Sequence, residues 1–72
     1  MISEIDIRDW VATKQPSKLF EIPRNSLVSS ISNPDKPFWF FHIDGMYSMC
    51  KELSGETFHI AAWTDVFKWT KK

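Results

Sequence analysis

Residues 38–45 read Phe-Trp-Phe-Phe-His-Ile-Asp-Gly, and no other stretch narrows the fold of this chain so far. A run dominated by aromatic and β-branched residues suits a half-buried pleated surface. The Asp-Gly that ends it is a preferred pair for a type I′ hairpin turn. Tyr47 to Leu53 then reads as the return strand, Ser54-Gly55 as a second turn, and Thr57 to Ala61 as a third strand. Ala62-Trp63-Thr64 interrupts the pattern before a last short strand, Val66 to Thr70. Upstream, Leu27 to Ile31 is a strand candidate, separated from the aromatic run by a loop at 32–37 that holds two prolines. Leu19-Phe20-Glu21-Ile22 is a short extended segment ended by Pro23, which removes a ladder donor. The reading is a three-stranded meander with a short strand on each side.

The chain is short for such a sheet. A domain of 72 residues buries only about 60% of the surface its unfolded form exposes. Ordering costs about 1.5 kcal/mol per residue, so on the order of 100 kcal/mol opposes folding. The single cysteine, Cys50, excludes an intrachain disulfide. One Cys and two His fall short of a four-ligand zinc site, so neither metal nor cofactor is expected. Aromatic packing must supply the difference, and four Trp, six Phe and one Tyr are available, at about 150–250 Å² buried each. The 43% hydrophobic content also excludes a disordered chain.

Nine basic residues balance nine acidic ones, so no surplus positive field draws phosphates or an anionic membrane surface. No apolar run approaches the roughly 20 residues that span a bilayer. Met1-Ile2-Ser3-Glu4 lacks the basic start of a signal peptide. A cytoplasmic protein is expected, and the lone cysteine suits a reducing compartment.

Residues 3–14 are predicted as an amphipathic helix, followed by a linker at 15–18 and a β region at 19–72, all in one domain. Ser3 with Asp6 makes a capping box, Glu4 and Arg8 stand four apart, and Ile7, Trp10, Val11 and Lys14 share one stripe. Ile5, Ile7 and Val11 also fit the period of a strand, but the capping signals and Pro16 favour the helix. With even-numbered hairpin loops, Phe40 faces Met49 and Ile60, Phe38 faces Lys51 and Phe58, and His42 faces Tyr47 and Ala62. That face is the expected core. The other face then carries Trp39–Cys50–His59, Phe41–Ser48–Ala61, and Ile43 beside Met46. An odd-length loop would slip one strand and scramble these rows. A second apolar face needs cover, from the N-terminal segment through Trp10 and Val11, from barrel curvature, or from a partner.

Chemistry has few places to sit. Cys50 opposite His59 is a thiolate–imidazolium arrangement, but no third orienting group or oxyanion hole accompanies it, and no catalytic residue is assigned. His42 beside Asp44 and Tyr47 reads as hairpin chemistry. Gly45 and Gly55 are the only glycines, which excludes a glycine-rich phosphate loop. The candidate binding residues are Trp39, Trp63, Phe67 and Trp69, with Lys68 at the rim and Lys71 and Lys72 nearby. Exposed Trp is enriched at protein–protein hot spots. The same aromatics with the C-terminal lysines could stack single-stranded bases, a reading the zero net charge disfavours.

The stretch from Phe41 to Val66, with His-Ile-Asp-Gly-Met-Tyr-Ser-Met-Cys, then Gly55, then His-Ile-Ala-Ala-Trp-Thr-Asp-Val, resembles small accessory proteins of tailed bacteriophages. The resemblance covers little more than a third of the chain. It implies expression in an infected bacterium and a host protein as partner, and it carries no activity to particular residues. The strand order also resembles SH3-like small barrels, in which a short 3₁₀ turn, here Ala62-Trp63-Thr64, precedes the final strand. The expectation is therefore a mainly β domain, a small SH3-like barrel or curved antiparallel meander with an N-terminal helix. An α+β sheet with that helix across one face is the alternative. In function it is a non-catalytic protein-binding module that meets a host factor or a second copy of itself. A single-stranded nucleic-acid binder is the alternative, and a Cys–His thiol enzyme a remote one.

Overall fold

The aromatic run does form the long strand its composition requires, and the sheet assembles around it. The computed structural model describes residues 6–72. In chain order the strands are β1 (Trp10–Ala12), β2 (Ser17–Lys18), β3 (Ser26–Ser30), β4 (Phe38–Asp44), β5 (Tyr47–Glu52), β6 (Thr57–Phe58) and β7 (Asp65–Lys71). They make one mainly β, antiparallel sheet in the order β1-β7-β3-β4-β5-β6, with β2 also on β7. The ladder from β3 to β6 is the expected meander. β7 is no flanking strand: it crosses back to lie between β3 and the N-terminal strands. Among the described residues the sheet stays open and β6 pairs only with β5, so the closed barrel is not formed.

The N-terminal helix is not formed over the described residues; Ser3 and Glu4 of its capping box lie outside them. A single 3₁₀ turn, Ile7–Asp9, is capped by Asp6, whose carboxylate accepts from the Arg8 backbone N–H at 3.0 Å. The Arg8 guanidinium also sits on Asp6, at 2.9 Å, which lowers the Asp6 pKa and raises that of Arg8. The chain then extends as β1 against β7, with Trp10 opposite Lys71 and Ala12 opposite Trp69. Residues 13–16 bulge out before Ser17 and Lys18, expected as linker, rejoin β7 opposite Val66 and Asp65. A free edge of β7 offers a row of unpaired backbone groups, and pairing them outweighs the weak local preference of a short helix.

Turn geometry overturns the expected register. Asp44 pairs with Tyr47, so the two loop residues are Gly45 and Met46 rather than Asp44 and Gly45. Gly45 has φ +66 and Met46 has no positive φ, the pattern of a II′ turn with glycine first. A bulge between Phe40 and His42 shifts the pairing again, giving Phe40 opposite Cys50 and Trp39 opposite Lys51. The second loop is odd: Glu52 and Glu56 bond across Leu53-Ser54-Gly55, with Gly55 at φ +115. Cys50 thus opposes Phe58, not His59, and Tyr47 bridges to Ala61, not Ala62.

These shifts decide which side chains meet. One face, the core face, carries Val28, Phe38, Phe40, Cys50 and Val66, closed over by Leu19 and Ile22 from the 3₁₀ turn Leu19–Glu21 and its end. Ile43, Phe58 and Ile60 pack against this cluster, and the rings of Phe38 and Phe58 meet edge-on at 5.0 Å. Met49, Lys51 and Tyr47, expected here, point the other way; Ser48 and Cys50 take their places, both fully buried. The turn at residues 61–64 is closed by the Thr64 N–H bonding the Ala61 carbonyl at 3.0 Å. No helix among the described residues is long and apolar enough to cross a membrane.

Candidate functional site: the aromatic face of the sheet

Strand alternation turns the remaining large side chains onto the opposite face. Register aligns Ala12, Trp69, Leu27, Trp39 and Lys51 in one row across five strands. The flanking rows add Trp10 beside Lys71, and Phe67 beside Ser29. Leu27 and Ser29 are buried to 1% and 0% exposure under this layer. Trp10, Trp39, Phe67 and Trp69 are only half-buried.

The layer is ordered by specific contacts. Trp10 meets Trp39 edge-on, with centroids 6.1 Å apart and planes at 89°, the geometry a ring quadrupole favours. Trp10 therefore gives part of the cover expected of it, from a strand instead of a helix. The Trp69 indole N–H donates to Ser29 Oγ at 2.9 Å, which satisfies a buried hydroxyl and holds the ring in place. The Trp39 indole N–H is closed to solvent and has no acceptor among the described residues. An unpaired buried donor costs about 1–3 kcal/mol. Beside Phe67 and Trp69 a depression of about 330 Å³ opens, bordered by Ala12, Lys14, Pro34 and Asp35.

Three of the candidate residues, Trp39, Phe67 and Trp69, come together on this face. Trp63 and Lys68 do not join them. Trp63 stands 52% exposed in the turn after Ala61, and Lys68 alternates to the core face opposite Val28. Lys71, expected beside the candidates, belongs to the face, and so do Trp10 and Lys51, which were not among the binding candidates. The signal for Lys71 was the two-residue spacing of Phe67, Trp69 and Lys71. Trp10 was hidden by its place in a helical stripe.

Compared with known proteins, the chain matches no family model, and no curated protein or solved structure is significantly similar to it. What the face can do must therefore be read from its own chemistry.

The cysteine–histidine arrangement is absent. Cys50 is fully buried on the core face, its thiol 3.3 Å from Ser48 Oγ. Burial raises its pKa above the ordinary value, and the Ser48 contact opposes this only in part. His59 is exposed, with Nδ1 3.1 Å from the Ser48 carbonyl. A buried thiol with a raised pKa is a poor nucleophile.

Proposed function

We propose that this protein is a non-catalytic protein-binding module and that it engages its partner through the aromatic face. One observation carries the reading: Trp10, Trp39, Phe67 and Trp69 line one sheet face half-buried, while the core lies on the other. Tryptophan clusters beside a depression are the usual anchors of protein interfaces. The resemblance of residues 41–66 to phage accessory proteins is the sole basis for looking first among host bacterial proteins. Capture from bacterial lysate, with variants compared side by side, tests the site. Phe67→Ala should abolish capture of any partner held by this face, costing about 2 kcal/mol or more of binding. Trp63→Ala should leave it intact. Capture indifferent to Phe67→Ala in a folded protein, or lost on Trp63→Ala, would place the interface elsewhere.

The second reading, stacking of single-stranded bases, gains support from Lys51 and Lys71 sharing the face with the aromatics. It predicts an affinity that falls steeply with salt, through release of counterions from the phosphates.

A further inference from the structure

The charges of this chain cancel in sum, yet they are unevenly placed around the aromatic face. Lys51 continues the row of Trp69, Leu27 and Trp39, and Lys71 stands beside Trp10. Lys14 borders the depression with Phe67 and Trp69. Among the described residues, none of these three is in an ion pair. Among the described residues, acidic groups reach the face only at its margins. Asp35 lies on the rim of the depression, Asp44 at the hairpin tip opposite Tyr47, and Asp65 is held by Lys18 at 2.8 Å. The imidazole-bearing His42 shares the face opposite Met49.

We infer that the partner segment received by this face is an acidic peptide that also carries apolar side chains. This rests on the protein-binding reading above and adds the chemistry of the partner. Apolar groups of the peptide fill the depression against Phe67 and Trp69, and its carboxylates meet Lys14, Lys51 and Lys71 at the rim. Rim charges of this kind set partner choice and association rate more than they add raw affinity. A nucleic-acid strand fits less well. Trp10 and Trp39 are packed edge to face instead of lying as parallel platforms, and Trp69 is tied to Ser29. Asp35 and Asp44 oppose an unbroken run of phosphates, whereas a peptide can space its carboxylates around them.

Selection of short random peptides by ribosome display against the full chain tests this, with single-stranded oligothymidylate as a parallel probe. Enriched peptides should be net acidic with at least one aromatic or long aliphatic residue. Their affinity should fall about tenfold or more in the Lys51→Glu, Lys71→Glu double variant. It should hold in Lys36→Glu, at an exposed lysine bordering a cleft on the core side. It should also weaken with salt as the screening length shortens from about 10 Å at 0.1 M. Basic or uncharged peptides, or acidic ones indifferent to the double variant, would overturn the acidic preference. If Phe67→Ala still abolished their binding, the protein-binding reading itself would stand. Loss of the Phe67→Ala effect would sink both. Oligothymidylate bound with a steep salt dependence, and no peptide enriched, would replace the peptide with a nucleic acid. Failure to hold either probe would also overturn the inference.

Discussion

The core face holds Val28, Val66, Cys50 and Phe40 at 1% exposure or less, whereas the aromatic face leaves three tryptophans and Phe67 half-buried around Leu27 and Ser29. The two layers share a single sheet and are built from similar residues, so composition does not separate them. The difference lies in what covers each. Leu19 and Ile22 close the core face, and the adjoining segment is fixed by backbone bonds from Leu19 to Thr64 and from Phe20 to Ala62. On the aromatic face the tryptophans cover one another and the residues beneath them. A covering side chain keeps one side toward solvent, which leaves that side free to meet something else.

Truncation on the two faces should separate them most sharply. Phe40→Ala removes a ring with 1% exposure from the closed layer and should cost about 3–5 kcal/mol. In a chain this small that is enough to unfold much of the population. Leu27→Ala, at the same exposure on the other face, should cost about 2–3 kcal/mol, because half-buried rings above it can settle into the space. Urea denaturation read by tryptophan fluorescence measures both. Equal losses would mean that the aromatic layer is as rigid as the core and would weaken its assignment as a contact surface.

A smaller effect isolates the polar tie in the aromatic layer. Trp69→Phe keeps an aromatic ring but removes the donor to Ser29 Oγ. Leaving that buried hydroxyl without its indole should cost about 1–2 kcal/mol. In the double variant with Ser29→Ala, part of the loss should return, and a strictly additive result would argue against the bond.

The smallest effect belongs to Cys50 on the core face. Burial raises its pKa above the ordinary value of 9.0. The folded protein therefore keeps the thiol proton at a pH where the unfolded chain has released it. The contribution is intact below that ordinary value and is lost as pH rises through the folded-state pKa. Unfolding midpoints above pH 9 should fall more in the parent chain than in Cys50→Ala, each measured against its own value near neutrality. Alkylation near neutral pH should be slower than that of a free thiol, and a fast rate would place Cys50 nearer solvent than the core face allows.

Much of the meander was legible in the residues themselves. The aromatic run, the two glycine turns and the strand before the proline loop all appear where local preference puts them. Register was not legible, because a II′ turn and an I′ turn both accept glycine and differ by one residue in what they align. That residue, the bulge at Phe41 and the odd loop at Leu53-Ser54-Gly55 moved Cys50 away from His59 and Lys51 beside Trp39. The binding candidates were legible as residue types on β7 and β4, but not as a group. Trp63 and Lys68 fell away because a turn and a strand's alternation point them elsewhere.

The sequence by itself determined that the chain is mainly β and that aromatic packing, with no disulfide available, would have to hold it. It also determined where the chain must turn, since Gly45 and Gly55 take up positive φ and sit at the two hairpin loops. Only the tertiary structure decided the state of residues 10–18. The helical stripe of Ile7, Trp10, Val11 and Lys14 was a local preference worth a few tenths of a kcal/mol per residue, while the open edge of β7 offered a row of backbone hydrogen bonds. It also decided which apolar residues became core and which became surface. Strand alternation makes each side chain's face depend on register, and register is settled by pairing between segments far apart in the chain.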